Sequence, residues 1–132
     1  MHMGERPLSP HLEIYRFRHT MALSFAHRAS GVGLSFGLIV LAWWLVALAG
    51  GEATYQWALG WLETWPVKLV LFGLMAAFLY HLANGIRHMV WDTGHLLEKR
   101  EALRSAWVLV TLVVVAVAVF GYLLFCPVGA RP

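Results

Sequence analysis

The residues best suited to chemistry lie in the segment FLYHLANGIRHMVWD, residues 78–92. It holds two histidines, an arginine, an asparagine and an aspartate at the end of a stretch that is otherwise apolar. His81 precedes Arg87 by six residues, so in a helix it lies roughly 9 Å deeper, at about 1.5 Å per residue. Polar side chains in hydrocarbon are costly and are usually paired or functional. His81 therefore needs a specific partner.

Three kinds of partner suit His81. An imidazole is a common axial ligand of haem iron, and the small residues Ala77 and Gly85, one turn away on either side, would let a flat ring lie close. The same small residues suit plain helix packing, in which His81 would make a hydrogen bond between helices. The third interpretation is a proton relay. The residues alone leave all three open.

His88 lies two helical turns beyond His81, about 10 Å along a straight helix, so one iron cannot bind both. Its spacing to Asp92 predicts a hydrogen bond at the membrane edge. The same spacing predicts a cation–π contact between Arg87 and Trp91. Interfacial anchoring would explain Arg87 and His88. The alternative is that they face haem propionates or a docked soluble partner.

A second cluster is SFAHRASG, residues 24–31. Ser24 and Arg28 are four residues apart and point to one side of a helix, with His27 beside them. A hydroxyl donor beside a guanidinium is suited to a quinone, because one holds a carbonyl oxygen and the other stabilises the negative charge of reduction. The alternative is that Ser24 caps the helix and Arg28 extends to lipid phosphates.

The other polar residues give weaker indications of function. Asn84 is expected to pack between helices with a hydrogen bond, and Cys126 to be a small apolar residue of the last helix. His11, His19 and His95 are expected to be solvated or interfacial. The sequence contains no nucleophile triad, phosphate loop or flavin fingerprint, so oxidation of a substrate cannot be assigned to this chain, and no catalytic residue is predicted.

Hydropathy indicates which elements must position these groups. The chain is 60% hydrophobic and only 13% charged. Residues 29–51, 69–86 and 105–130 contain no Asp, Glu, Lys or Arg, and each run meets or nearly meets the roughly 20 residues that cross a bilayer. We therefore predict an all-α membrane protein with three transmembrane helices, over residues from 22–24 to 48, 66–90 and 106–125. Gly50 and Gly51 would end the first helix, and residues 50–66 would form a loop. Pro66 would lie in the first turn of the second helix, and residues 92–105 would form a polar connection before the third.

Basic residues predict the orientation. They lie before the first span and between the second and third, whereas residues 50–66 hold Glu52, Glu63 and several aromatic residues suited to the headgroup layer. The N-terminus is thus predicted in the cytoplasm and the C-terminus outside. This topology predicts that one membrane face, the cytoplasmic one, holds Ser24, His27, Arg28, His81, Arg87, His88 and Asp92. Residues 1–20 would be a cytoplasmic segment, and residues 21–132 the membrane anchor domain. The pI of about 9.4 reflects arginines at the membrane edge, so no nucleic-acid partner is expected. With neither a signal peptide nor a transit peptide recognisable, a multi-pass protein of a bacterial inner membrane is predicted.

Three segments together, RPLSPHLEIYR (6–16), SFAHRASG (24–31) and HLANGIRHMVWDTG (81–94), resemble the cytochrome b subunit of succinate dehydrogenase, respiratory complex II. The resemblance implies one of two membrane anchors for a flavoprotein and an iron–sulfur subunit, and not an enzyme on its own. Succinate would be oxidised at the flavin, and electrons would pass through iron–sulfur clusters to ubiquinone at the membrane edge.

The resemblance also implies roles for residues. His81 matches the axial ligand of one haem b, which is shared with the second anchor. Ser24 and Arg28 match quinone contacts, and His27, Arg28 and Arg87 would lie by the haem propionates. His88 and Asp92 match positions near the iron–sulfur subunit. Two alternatives stay open: the anchor of a fumarate reductase, and a structural membrane anchor without haem. A transporter is disfavoured because broken helices and repeats are missing from the sequence.

Overall fold

The computed structural model describes residues 19–126 and contains four helices within them: α1 (His19–Ala49), α2 (Glu52–Leu62), α3 (Trp65–Asp92) and α4 (Lys99–Phe125). The described part of the chain contains no strand. α1, α3 and α4 are each long and apolar enough to cross a membrane, which confirms the predicted class and the three spans. The predicted cytoplasmic segment lies largely outside the described residues.

The first span is longer than predicted. α1 has 31 residues, which at about 1.5 Å per residue is roughly 46 Å, well beyond a hydrocarbon core of about 30 Å. Ser24 lies inside α1 and cannot be its N-cap. The helix ends at Gly50 and Gly51, as predicted, and Gly51 has a φ of 91°, a conformation that glycine adopts without the clash of a β-carbon.

The aromatic segment after α1 is a helix and not the loop that was predicted. α2 begins at Glu52, whose carboxylate accepts a hydrogen bond from Gln56 Nε2 at 2.7 Å. Helix formers such as Ala, Gln and Leu dominate its sequence, and an aromatic residue does not prevent a helix. Trp57 and Trp61 are exposed on it, so a position in the headgroup layer stays a prediction.

The third span also begins earlier than predicted. α4 starts at Lys99, whereas residues 92–105 were expected to be a polar connection. The segment KREALRS consists largely of strong helix formers. A change from charged to apolar residues indicates where a helix enters the bilayer, which differs from where the helix begins. α3 begins with Pro66 in its first turn, as predicted.

α3 packs against both other spans. Near its start, a β-carbon on Gly121 of α4 would lie 3.0 Å from Phe72 Cε2, so the backbone of α4 lies against that ring. Near its end, α3 packs beside the first turns of α1, where Tyr80 donates its hydroxyl hydrogen to the carbonyl of Leu23 at 2.6 Å. Few apolar side chains are buried, and many large ones are exposed over the three spans.

Candidate functional site

Three histidines meet where α1 packs beside α3. His27 of α1 stacks on His81 of α3 with ring centroids 3.9 Å apart and an angle of 13° between the rings. The ring of His88, also on α3, lies 5.4 Å from that of His27. We call His27, His81 and His88 the histidine cluster. The structure thus brings together residues that are more than fifty positions apart in the sequence.

The imidazole of His81 is held through one nitrogen. Its Nδ1 lies 3.0 Å from Ser30 Oγ and 3.1 Å from the carbonyl oxygen of His27. A carbonyl can only accept, so Nδ1 carries the hydrogen, and in the neutral imidazole Nε2 then has the lone pair. Nε2 has no hydrogen-bond partner within residues 19–126. The interhelical hydrogen bond considered for His81 therefore exists, and it leaves the other nitrogen able to bind a metal.

The small residue nearest His81 is on the opposite helix. A β-carbon on Gly31 would lie 3.0 Å from His81 Cε1, so the ring lies directly against the backbone of α1. Gly85, expected beside His81, instead has His27 as its neighbour, with Cε1 at 4.0 Å from its β-carbon position. Sequence reasoning missed Ser30 and Gly31 as neighbours of His81, although both lie in the quoted segment 24–31. Spacing along one helix does not indicate contacts with another.

Two polar side chains of this region have atoms without partners. His27 Nδ1 is buried and makes no hydrogen bond in the described structure. Asn84 is 1% exposed, and neither its amide nitrogen nor its oxygen has a partner among the described residues. The predicted hydrogen bond of Asn84 across helices is therefore not made within residues 19–126. Buried polar atoms usually have a partner, and residues 19–126 supply none for these atoms.

Arg87 points towards α4. Its Nε donates to Ser105 Oγ at 3.0 Å and its Nη2 donates to the carbonyl of Ala102 at 2.8 Å. Its guanidinium carbon lies 4.1 Å from the centre of the Trp91 ring, which confirms the predicted cation–π contact. Arg87 is only 6% exposed. In this chain it joins α3 to α4.

The contacts of His88 near the end of α3 differ from those that the sequence predicted. His88 packs edge-on against Trp91, with centroids 5.0 Å apart, and makes no hydrogen bond with Asp92 in the described structure. Asp92 is exposed. His95 is also exposed, with its Nδ1 at 2.9 Å from Thr93 Oγ1, in agreement with the solvated position expected for it. His11 lies outside the described residues.

Ser24 and Arg28 are both exposed on α1, four residues apart. The hydrogen bond from the Tyr80 hydroxyl to the carbonyl of Leu23 holds this turn of α1 beside α3. Ser24 and Arg28 therefore stay accessible next to the histidine cluster. Their exposure leaves room for a ligand or for another subunit.

No group of three or more His, Cys, Asp or Glu able to hold a metal ion occurs within residues 19–126. Within the same residues, His81 has one nitrogen without a hydrogen-bond partner. That arrangement fits a metal whose other ligands come from a cofactor ring and from a second chain.

Comparisons with known proteins identify the family. Residues 3–120 match the family model described as succinate dehydrogenase/fumarate reductase transmembrane subunit. The chain is 36% identical over 107 residues to a succinate dehydrogenase cytochrome b556 subunit of Rickettsia felis, covering 81% of this chain and 83% of the relative. It is also 36% identical over 107 residues to the cytochrome b556 subunit of Paracoccus denitrificans, covering 81% of this chain and 82% of the relative.

A mitochondrial relative is similar as well. The succinate dehydrogenase cytochrome b560 subunit of Mus musculus is 39% identical over 121 residues, covering 89% of this chain and 69% of the relative. The family match covers α1 to α3 and most of α4. The chain belongs to the family of succinate dehydrogenase/fumarate reductase transmembrane subunits.

Proposed function

We propose that this chain is the cytochrome b membrane anchor of a succinate:quinone oxidoreductase in a bacterial inner membrane. It would be one of two anchors that hold an iron–sulfur subunit and a flavoprotein subunit at the membrane. The observation that carries the proposal is the state of His81, whose Nδ1–H is held by α1 and whose Nε2 has no partner within residues 19–126. Metal-binding histidines usually donate their other N–H to a carbonyl or carboxylate in this way.

The residues of the histidine cluster fit a haem b. His81 would supply one axial nitrogen, and the second anchor would supply the other. His27 and Arg28 would receive the propionates, because the ring of His27 stacks on that of His81 and Arg28 is an exposed cation one residue away. When bound, the haem supplies a one-electron redox centre between the two anchors.

Arg87 was also expected on the propionate side. Its hydrogen bonds to Ser105 and to the carbonyl of Ala102 use two of its five N–H donors. A propionate contact would have to use the remaining three. We therefore give His27 and Arg28 the main role there and keep Arg87 as a secondary contact.

The quinone site is proposed at Ser24 and Arg28. Ser24 would donate its hydroxyl hydrogen to one carbonyl oxygen of ubiquinone, and Arg28 would stabilise the negative charge that grows on that oxygen as electrons arrive. Two electrons from the iron–sulfur subunit and two protons from the cytoplasm convert the quinone to the quinol. His88 and Asp92, at the same end of α3, would lie near the iron–sulfur subunit.

A reduced-minus-oxidised absorption spectrum of the purified complex tests the proposal. We expect a b-type band in the wild type and its loss or shift in His81→Leu. His95→Leu is the matched control, because His95 is exposed and lies outside the cluster, and it should keep the band. A wild-type complex without a band would support the alternative of an anchor without haem.

A further inference from the structure

Two consecutive residues of α1, Ser30 and Gly31, meet the ring of His81 and have no part in the function described above. We propose that they form a seat for this imidazole: Ser30 sets its hydrogen bonding and Gly31 sets its distance from α1. Both are positioning residues that would act on the haem through His81. The inference rests on the proposed axial role of His81 and adds the means by which this chain orients and tunes the ligand.

Ser30 acts through hydrogen bonds that join its hydroxyl, the carbonyl of His27 and Nδ1 of His81. Its hydroxyl donates to the carbonyl of His27 at 2.8 Å, so an oxygen lone pair is left for His81 Nδ1 at 3.0 Å. The same His27 carbonyl lies 3.1 Å from that nitrogen. One N–H therefore faces two acceptors, both on α1. A ligand imidazole whose other N–H is donated to an acceptor is a more basic ligand.

Gly31 acts through its lack of a side chain, which leaves room for the ring of His81. A β-carbon at this position would lie 3.0 Å from Cε1, 3.6 Å from Nδ1 and 4.0 Å from Nε2 of His81. These distances place it beside the Cε1 edge of the ring, and one face of the ring is covered by His27 at 3.9 Å between centroids. The imidazole cannot turn away from an added methyl group without losing this stack or the hydrogen bonds at Nδ1. Glycine at position 31 thus allows the ring position in which the stack with His27 and the hydrogen bonds at Nδ1 are made together.

The seat has a consequence for redox behaviour. A more basic imidazole stabilises ferric iron more than ferrous iron, because the ferric ion carries the greater charge. Removing the Ser30 hydroxyl should weaken this preference and raise the midpoint potential. Loss of a partner of a metal ligand commonly changes metal affinity by about 10- to 100-fold. A tenfold change that affects only the ferric form is equivalent to about 59 mV for one electron.

The first test is a redox titration of the haem in the intact complex with Ser30→Ala. We expect the haem to stay bound with a higher midpoint potential. Ser30→Thr should restore the potential, because a threonine hydroxyl in a helix can also bond the carbonyl three residues back. Ser35→Ala is the matched control, since Ser35 is exposed on the same helix and its hydroxyl bonds only the carbonyl of Gly31. An unchanged potential in Ser30→Ala, or an equal shift in Ser35→Ala, overturns the inference.

The second test uses Gly31→Ala against Gly33→Ala. Gly33 is also in α1 but has nothing within 4 Å of its β-carbon position. We expect Gly31→Ala to shift the electron paramagnetic resonance of the ferric haem or to release the haem, and Gly33→Ala to leave the signal unchanged. Identical signals in both variants and the wild type would contradict the role of Gly31. If Gly31→Ala prevents assembly, the potential of Ser30→Ala decides.

The outcomes separate this inference from the function on which it rests. A wild-type complex without a b-type band overturns the axial role of His81. A band that disappears in His81→Leu, together with an unchanged potential in Ser30→Ala, leaves that role standing and overturns the seat alone.

Discussion

At the scale of single residues, some polar groups already make hydrogen bonds within the chain and others are exposed to a ligand. His81 has one nitrogen committed to α1, and Arg87 has two donors committed to α4. Ser24 and Arg28 are exposed. A guanidinium that is accessible at the membrane edge can interact with a ligand, whereas one held by hydrogen bonds and by an aromatic ring mainly stabilises the fold.

The first prediction concerns Arg28. Replacing it with alanine should lower ubiquinone reduction by roughly 100-fold, the size of effect seen when one group that stabilises a developing negative charge is removed. Succinate oxidation with an artificial electron acceptor should persist, because that reaction does not need the quinone site. Steady-state assays with both acceptors measure the two rates.

Arg104→Ala is the control for Arg28→Ala, since Arg104 is an exposed arginine of α4. It should change neither rate. Equal losses of both activities in Arg28→Ala would mean that Arg28 supports assembly and does not serve the quinone.

At the scale of helices, α3 is joined to its two neighbours by different means. Polar bonds dominate at its C-terminal half, where Tyr80 reaches α1 and Arg87 reaches α4. At its N-terminal half, Phe72 lies against the backbone of Gly121 and its ring is 5.7 Å from that of Phe125. Small residues let helices approach closely in a membrane, where packing replaces the hydrophobic effect.

The second prediction compares two glycines. Gly121→Ala should destabilise the complex, because its methyl group would lie 3.0 Å from Phe72 Cε2 and overpacking costs about 1–3 kcal/mol. Gly73→Ala should be neutral or stabilise by up to about 1 kcal/mol, since nothing lies within 4 Å of its β-carbon position and alanine favours a helix. Thermal unfolding of the purified complex in detergent compares the two variants.

The difference between these variants is informative because both replace a helical glycine with alanine. Similar unfolding midpoints would show that α4 does not pack on Phe72 as described. A decrease confined to Gly121→Ala would support this contact between α3 and α4.

At the scale of the whole molecule, three apolar helices leave most of their large side chains exposed. A lipid bilayer and a second anchor subunit are the partners that would cover such surfaces. α3 packs against both other spans and carries His81. A cofactor bound through His81 would therefore depend on the packing of α1 beside α3.

The third prediction concerns orientation and uses Cys126, the single cysteine of the chain, which is exposed at the end of α4. A C-terminus outside the cell predicts that a membrane-impermeant maleimide labels Cys126 from the periplasmic side of spheroplasts. Mass spectrometry of this subunit measures the labelled fraction, and labelling after denaturation gives the total.

A cysteine at the opposite end of α4, in the connection that precedes it, provides the control for orientation. His95→Cys in a Cys126→Ser background should resist the reagent in spheroplasts and react in inside-out vesicles. The reverse pattern at both positions would show that the N-terminus is outside.

Sequence patterns predicted the three spans because a helix that crosses lipid must be apolar over about 20 residues, which is visible without knowledge of neighbours. They did not predict α2 or the early start of α4, because aromatic and charged residues indicate depth in the membrane and say little about the boundaries of helices. The local contact of Arg87 with Trp91 was predictable, since both lie on one helix four residues apart.

Contacts between helices depended on how the spans turn towards one another. The sequence placed His27 and His81 at one membrane face, but their stacking, the bonds of His81 to Ser30, and the position of Gly31 against the ring appear only when α1 and α3 are packed. Arg87 similarly turns to α4 because Ser105 and the carbonyl of Ala102 lie within reach. Hydropathy along one helix reports its exposure to lipid, whereas the rotation of two helices about their axes follows from how their side chains fit together.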